Sequence, residues 1–195
     1  MTKDQVIEYY ETDIHEQEVS KVLKQARDIV NSADIPEATA IVLDIDETSL
    51  NHYKALKEYD FPQGDNHKVW NECIFTSTGT PIEATLNFYN FCLSKGLKIF
   101  FVSARVADSI GATKLALKDA GYTQFEDVFV FPKEIADYDP NQFTNFKSER
   151  RAYIESLGFE VLLSVGDQQS DLIGGFTKYT CELPNYLYGK KSAFA

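Results

Sequence analysis

Short apolar runs alternate with helix-length amphipathic segments along this chain, and this alternation restricts the fold more than any other feature. The apolar runs are the size of strands, and the segments between them carry helical periodicity, as residues 13–31 do. Continuous apolar runs suit parallel strands that helices cover on both faces. With right-handed crossovers, the pattern predicts an α/β fold with a Rossmann-like, doubly wound, mostly parallel sheet. The predicted strands are "IVLD", "LKIFFV", "DVFVF" and "EVLLSV".

Helix boundaries are marked most clearly in the segment "TPIEATLNFYNFCLSKG". Thr80 is a favourable N-cap, Pro81 suits the first helical position, and Glu83 completes a capping box. Gly96 is the expected C-terminal glycine. A later helix is predicted over "SERRAYIESLG", and Lys147 lies at its opening.

Residues 50–79 interrupt the alternation with Pro62, Gly64, Gly79, many aromatic residues and the single tryptophan. This interruption predicts an insertion within one domain that spans residues 1–195. A chain of 195 residues is the usual size for one domain and can bury a sizeable core.

The formal net charge of −11 argues against a nucleic-acid polymer as partner, because such binding depends on a positively charged surface. No apolar run approaches the roughly 20 residues of a membrane-spanning helix. The opening "MTKDQVIEYY" lacks the apolar core of a signal peptide. We therefore expect a cytoplasmic protein, with export to the periplasm or beyond after signal removal as the alternative.

Three cysteines, Cys73, Cys92 and Cys181, leave no complete disulfide framework and show no CxxC spacing. Cys92 falls in an apolar helical pattern, which predicts a core position. The sequence leaves open whether two of these cysteines form a disulfide and whether the chain forms a homodimer.

Polar side chains follow three of the predicted strands at their carboxyl ends. Asp44 and Asp46 follow the first, Ser103 and Arg105 follow the second, and Asp167 follows the last. Ligands of doubly wound sheets bind at this edge. We therefore expect these side chains, together with Asp171 and Lys147, to line one pocket.

Four carboxylates in one pocket repel one another unless a counter-charge is bound. Oxygen ligands favour a hard cation, and Mg²⁺ suits a site with few carboxylates and several waters. Ser103 and Lys147 are better partners for a phosphate group. The set indicates phosphoryl transfer through an aspartyl phosphate, because an aspartate can act as a nucleophile on phosphorus. Asp46 would protonate the leaving alcohol and then deprotonate the attacking water.

The same residues resemble the four motifs of the haloacid dehalogenase (HAD) superfamily, in the same order. The narrower likeness is to class B and class C acid phosphatases (subfamily IIIB) and to plant vegetative storage proteins. "IVLDIDETSL", the "KSERR" run and "SVGDQQSDLIG" carry it. The four motifs are "LDIDET", "FFVSAR", the lysine of "FKSERR" and "GDQQSD".

The resemblance implies an active, Mg²⁺-dependent acid phosphatase with Asp44 as nucleophile and Asp46 as general acid/base. It implies Ser103, Lys147 and Thr48 as the phosphate-binding residues, and Thr48 would also orient Asp46 or support the loop that carries it. The implied metal ligands are the Asp44 side chain, the Asp46 carbonyl oxygen and Asp167, supported by Asp171.

Substrate contacts are the least defined part of the predicted site. The insertion at residues 50–79 resembles the small cap that follows the first motif in this family. Its Tyr53 and Trp70 are candidates to stack on an aromatic leaving group, and packing of the cap onto the core is the alternative. Arg105 is a further candidate contact. The related class C proteins carry "SNR" where this chain has Ser103-Ala104-Arg105, so nucleotides, aryl phosphates and sugar phosphates all remain open.

Two other functions use a comparable set of residues. One is a weakly active or inactive storage or binding protein on the same scaffold, although Asp44 and Asp46 are both retained. The other is a phosphorylated receiver domain, in which a single aspartate is modified and the phosphoaspartate persists. The chain has no "GxxxxGK[ST]" stretch, which excludes a P-loop.

Overall fold

The computed structural model describes residues 1–61, 72, 79–132 and 140–188. Helices and strands alternate through most of this part of the chain, as predicted. In chain order the elements are α1 (Lys3–Glu11), α2 (Ile14–Ser32), β1 (Thr39–Leu43), β2 (Leu50–Asn51), α3 (Tyr53–Glu58), β3 (Thr80–Pro81), α4 (Glu83–Ser94), β4 (Lys98–Val106), α5 (Ile110–Asp119), β5 (Asp127–Phe131), α6 (Pro140–Ser156), β6 (Glu160–Gly166), α7 (Gln169–Leu172) and β7 (Tyr179–Glu182).

Within the described residues the main sheet has five strands in the order β5-β4-β1-β6-β7. Every neighbouring pair is parallel, which confirms the predicted sheet. The chain builds outward from β1 through β4 and β5 and then crosses to β6 on the other side of β1. This reversal opens a crevice at the carboxyl ends of β1 and β6, which is where such sheets bind ligands.

The central strand β1 contributes side chains to a separate core on each face of the sheet. Ile41 and Leu43 pack with α2 and α4, whereas Ala40 and Val42 pack with the side chains of α6. All five residues of β1 are buried. The predicted cover of helices on both faces is therefore confirmed.

The predicted capping box at Thr80 is wrong. Thr80 and Pro81 are extended and pair with Asn51 and Leu50 in the antiparallel ladder of β2 and β3, so α4 begins only at Glu83. The exposed N–H groups of its first turn are bonded instead by a residue of another helix. The carboxylate of Glu16 in α2 accepts hydrogen bonds from the N–H of Glu83 at 3.2 Å and of Ala84 at 3.1 Å.

The helix that carries Lys147 starts earlier than predicted, at Pro140, so this lysine lies in the middle of α6 and not at its opening. The pattern also missed α1 and β7. α1 packs its Val6 with Leu56 of α3 and with Leu187 near the end of the described chain.

Of the predicted cap, residues 50–79, the structure describes residues 50–61, 72 and 79, and the cap stays a prediction. Trp70 and Cys73 lie outside the described residues. Cys92 and Cys181 are buried as free thiols. Among the described residues, no helix is both long and apolar enough to cross a membrane.

Candidate active site

The crevice between β1 and β6 holds the first carboxylate of the site, Asp44. Its backbone N–H donates to the carbonyl oxygen of Val165 at 2.9 Å, which continues the pairing of the two strands. Its own carbonyl oxygen accepts a hydrogen bond from Ser49 Oγ at 2.7 Å. The sheet on one side and the following turn on the other therefore fix the backbone of Asp44.

Three buried carboxylates meet in this crevice. One oxygen each of Asp44, Asp167 and Asp171 lies within 4.8 Å of the others. Burial, with the charge of Asp171, raises the pKa of Asp44 well above its ordinary value and the pKa of Asp167 to about 7. The three groups therefore carry more negative charge than their surroundings balance. A hard divalent cation fits this all-oxygen donor set.

Lys147 supplies the positive charge inside the cluster. Its Nζ donates to Asp44 Oδ1 at 2.7 Å and also bonds to Asp171 Oδ1. Burial acts to lower the pKa of Lys147, but the charges of Asp171 and Asp44 outweigh it and raise the pKa above its ordinary value. The lysine is therefore charged, and it pairs with two of the three carboxylates while its single charge balances only one of them.

Asp167 is held by three neutral donors. Thr48 Oγ1 donates to its Oδ1 at 3.1 Å, while Gln168 Nε2 and Asn185 Nδ2 donate to its Oδ2 at 2.6 and 2.7 Å. The structure thus joins Thr48 to Asp167, whereas the sequence assigned it to the phosphate loop or to Asp46. Asn185 was missed, although it stands in the "LPN" run near the chain end.

Asp171 is positioned by the close approach of β6 and by Arg151. A Cβ atom at Gly166 would lie 2.3 Å from the side chain of Asp171, so only glycine fits there. The guanidinium of Arg151 donates to the carbonyl oxygens of Asp171 at 3.0 Å and Gly175 at 2.9 Å, and to that of Ile173. Arg151 therefore holds the backbone around Asp171 and is not a second cation beside Lys147.

Asp46 lies on the other side of Asp44 and is bound by Arg105. The Arg105 Nη2 atom is 2.7 Å from Asp46 Oδ1, and Nε is 3.0 Å from Oδ2. Burial acts to raise the pKa of Asp46, but the charge and hydrogen bonds of Arg105 outweigh it, and the pKa is lowered to about 2. Ser103 Oγ is 3.4 Å from Asp46 Oδ2, and the Tyr188 hydroxyl donates to the Asp46 carbonyl oxygen at 3.2 Å.

A family model for the HAD superfamily, subfamily IIIB (acid phosphatase), matches residues 1–191 of the chain. The chain belongs to this family. The match spans all four motifs, and it confirms both the predicted family and the prediction of a phosphatase, a hydrolase.

Curated and solved relatives agree with this assignment. The stem 28 kDa glycoprotein of Glycine max is 28% identical over 184 residues, which cover 93% of this chain and 72% of that protein. Acid phosphatase 1 of Solanum lycopersicum is 27% identical over 195 residues, with 95% and 73% covered. The structure of the class C acid phosphatase from Bacillus anthracis matches with a TM-score of 0.72 at 21% identity. The match covers 94% of this chain and 83% of the Bacillus anthracis chain. This last likeness supports the HAD phosphatase fold.

The candidate substrate contacts of this phosphatase have different surroundings. Tyr53 is buried and stacks on Tyr10, with ring centroids 5.0 Å apart, and its hydroxyl lies 3.1 Å from Glu11 Oε1. It therefore joins α3 to α1. Arg105 is buried and bonded to Asp46. Their contact with substrate stays a prediction, as does that of Trp70, which lies outside the described residues.

Proposed function

We propose that this acid phosphatase hydrolyses small phosphomonoesters, such as nucleotides, aryl phosphates or sugar phosphates, through a covalent phosphoaspartate on Asp44. The single observation that carries the proposal is the buried set of Asp44, Lys147, Asp167 and Asp171 at the crevice of the sheet. A carboxylate nucleophile, a lysine and two further acids are the components that such a reaction requires.

The proposed metal is Mg²⁺. Its ligands would be the side chain of Asp44, the carbonyl oxygen of Asp46 and the side chain of Asp167, with Asp171 in support. When bound, it supplies the positive charge that lets an anionic phosphate approach a cluster of carboxylates. The raised pKa values of Asp44 and Asp167 support this proposal, because burial and then the nearby charge of Asp171 disfavour both carboxylates, and a divalent cation would favour them.

In the first step, a carboxylate oxygen of Asp44 attacks phosphorus while the bond from phosphorus to the ester oxygen breaks. Lys147 stabilises the charge on the transferred group, and Ser103 donates its hydroxyl hydrogen to a phosphate oxygen. Asp46 gives a proton to the departing alkoxide, which leaves as an alcohol. To do so, Asp46 must first be protonated and loosened from Arg105, because that ion pair favours the carboxylate.

In the second step, water attacks the phosphorus of the phosphoaspartate. Asp46 takes a proton from the water, the bond between Asp44 and phosphorus breaks, and inorganic phosphate is released. Bonded to Arg105 as it is here, Asp46 is ionised, which is the state that a base requires. The observed ion pair therefore holds Asp46 in the protonation state from which the second step starts.

The test is hydrolysis of p-nitrophenyl phosphate by the wild type and by Asp44→Asn, each with Mg²⁺ and with a chelator. We expect metal-dependent turnover in the wild type and its loss in a variant whose circular dichroism is unchanged. Near wild-type turnover by Asp44→Asn would contradict the mechanism. A wild type that binds Mg²⁺ and phosphate but turns over no ester would identify a binding or storage protein.

A further inference from the structure

A buried polar network lies behind Asp46 and includes two residues that the proposed chemistry does not use. These are Glu47 and His52, and both side chains are inaccessible to solvent. His52 Nε2 is 3.3 Å from Arg105 Nη2, the same nitrogen that bonds to Asp46. His52 Nδ1 is 3.3 Å from Glu47 Oε1. The network therefore runs from Glu47 through His52 and Arg105 to Asp46, and His52 Nδ1 also lies 3.5 Å from Asp46 Oδ1.

The direction of each hydrogen bond follows from the arginine. A guanidinium nitrogen can only donate, so His52 Nε2 must accept from Arg105. The ring hydrogen is then on Nδ1, where Glu47 Oε1 at 3.3 Å and Asp46 Oδ1 at 3.5 Å can both accept it. Glu47 Oε1 also accepts the backbone N–H of His52 at 2.8 Å. Glu47 therefore fixes both the orientation and the tautomer of the ring that supports Arg105.

Two features indicate that this arrangement has a role beyond packing. Glu47 adopts a positive φ of 55°, which is unusual for a glutamate, and its Oε2 has no hydrogen-bond partner among the described residues although it is buried. Both features reduce stability, and strain of this kind tends to persist at functional sites.

Gly79 restricts the ring from the other side. A Cβ atom at this position would lie 2.7 Å from His52 Nε2 and 2.9 Å from Cε1, closer than side-chain atoms approach in folded proteins. The same Cβ atom would lie 2.9 Å from Leu50 Cβ, so an alanine at this position would press on both the ring and Leu50. The φ of Gly79 is not in the positive range, so the backbone preference would not change.

We propose that Glu47 and His52 are positioning residues for the second step of the phosphatase reaction. They fix the guanidinium of Arg105, and Arg105 in turn orients the carboxylate of Asp46 toward the water that cleaves the phosphoaspartate. The inference rests on the proposed function, since it requires a covalent phosphoenzyme.

Rapid mixing of the full chain with p-nitrophenyl phosphate and Mg²⁺ tests this inference. Release of nitrophenol reports the first step, and steady-state turnover reports the slower of the two steps. In His52→Leu we expect turnover to fall by roughly tenfold or more, part of the usual contribution of a general base. The nitrophenol burst should approach one equivalent per enzyme, because the phosphoenzyme accumulates.

Two matched variants separate positioning from packing. The amide oxygen of glutamine can accept from Arg105, so His52→Gln should recover most of the turnover that His52→Leu loses. Gly79→Ala displaces the ring and should give the same burst with slower turnover. Its control is Gly111→Ala, because a Cβ atom at Gly111 meets no described atom within 4 Å.

The inference is overturned if His52→Leu and Gly79→Ala turn over like the wild type. It is also overturned if nitrophenol burst and turnover fall in equal proportion, since that result reports a smaller folded fraction. Thermal unfolding and Mg²⁺ titration of each variant check the folded fraction directly. A wild type without turnover would instead overturn the proposed function, and with it this inference.

Discussion

Lys147 Nζ lies 2.7 Å from Asp44 Oδ1, and the two side chains are only 4% and 6% exposed. The same nitrogen bonds to Asp171. One buried cation therefore joins the predicted nucleophile to the acid that follows β6. A pair of this kind costs little while it is intact, but either partner left alone is a buried, uncompensated charge.

Replacement of Lys147 by methionine should therefore affect both stability and activity. We expect the metal-free protein to lose about 3 kcal/mol of unfolding free energy. Turnover of p-nitrophenyl phosphate should fall by roughly 100-fold, as for the loss of one donor to transition-state charge. Urea unfolding in a chelator and steady-state kinetics in Mg²⁺ measure the two effects.

Lys178→Met is the control for this variant. Lys178 forms an ion pair of similar length with Glu160, 2.7 Å, but both side chains are about half exposed. Exposed pairs contribute at most about 1 kcal/mol. Equal effects of the two substitutions would show that the Lys147 pairs contribute no more than a surface salt bridge.

Gly166→Ala should disturb Asp171 without changing any ionisable group. The new Cβ atom would lie 2.3 Å from the Asp171 side chain, so this carboxylate must move. We expect a loss of about 1–3 kcal/mol in stability, the usual cost of overpacking, and weaker Mg²⁺ binding by titration calorimetry. Gly111→Ala in α5 has open space and should change stability by less than about 1 kcal/mol. Unaltered Mg²⁺ affinity in Gly166→Ala would remove Asp171 from the proposed metal site.

Arg151→Met should destabilise the loop that follows Asp171. The substitution leaves the carbonyl oxygens of Asp171, Ile173 and Gly175 without the donors that Arg151 supplies. Hydrogen bonds from a charged group contribute roughly 1.5–3 kcal/mol each, and their effects overlap, so we expect about 3 kcal/mol in urea unfolding. Arg150→Met is the matched control. Arg150 packs over aromatic rings, and we expect its loss to cost about 1 kcal/mol.

Acidic solution should destabilise the fold through His15. This side chain is buried against Tyr9 and Tyr10, and burial lowers its pKa to about 4, whereas the unfolded chain titrates near the ordinary 6.5. The unfolded state therefore binds more protons between these values, and stability falls as the pH drops from 6.5 toward 4. The shift corresponds to roughly 3 kcal/mol at full effect.

His15→Phe tests the pH effect, because phenylalanine keeps an aromatic ring in the cluster and cannot titrate. The free energy of unfolding of the wild type, relative to that of His15→Phe, should be lower at pH 4.5 than at pH 7. A difference that stays constant with pH would show that His15 titrates alike in the folded and unfolded chains.

Much of the site was predictable because the rule that places ligands at strand ends depends only on locating the strands. Asp44 and Asp167 follow β1 and β6 directly, and Lys147 meets Asp44 and Asp171 as the motif order implied. Such positions tolerate errors in helix boundaries, which is why Lys147 lies beside Asp44 and Asp171 as expected although its helix begins at Pro140. Its role at the phosphate stays a prediction.

Other features depend on contacts that local patterns do not carry. Thr80 had the chemistry of an N-cap, but the ladder of β2 and β3 requires it to be extended. The carboxylate of Glu16, in a distant helix, accepts the hydrogen bond from the first N–H group of α4 instead. Asn185 and Tyr188 reach the site from the segment after β7, a strand that the apolar pattern did not reveal. The glycine requirement at Gly166 arises only when α7 folds back against β6.

The central position of β1 also has a consequence for synthesis of the chain. Lys147 is 103 residues from Asp44, Asp167 is 119 residues from Thr48, and Tyr188 is 142 residues from Asp46. Contacts between such distant residues form late and slow the folding of a chain. A nascent chain that ends before β6 would carry Asp44, the proposed nucleophile, on a strand with one open edge, and Lys147 would lack Asp171. Activity should therefore appear only after β6 and the residues that follow it have joined the sheet.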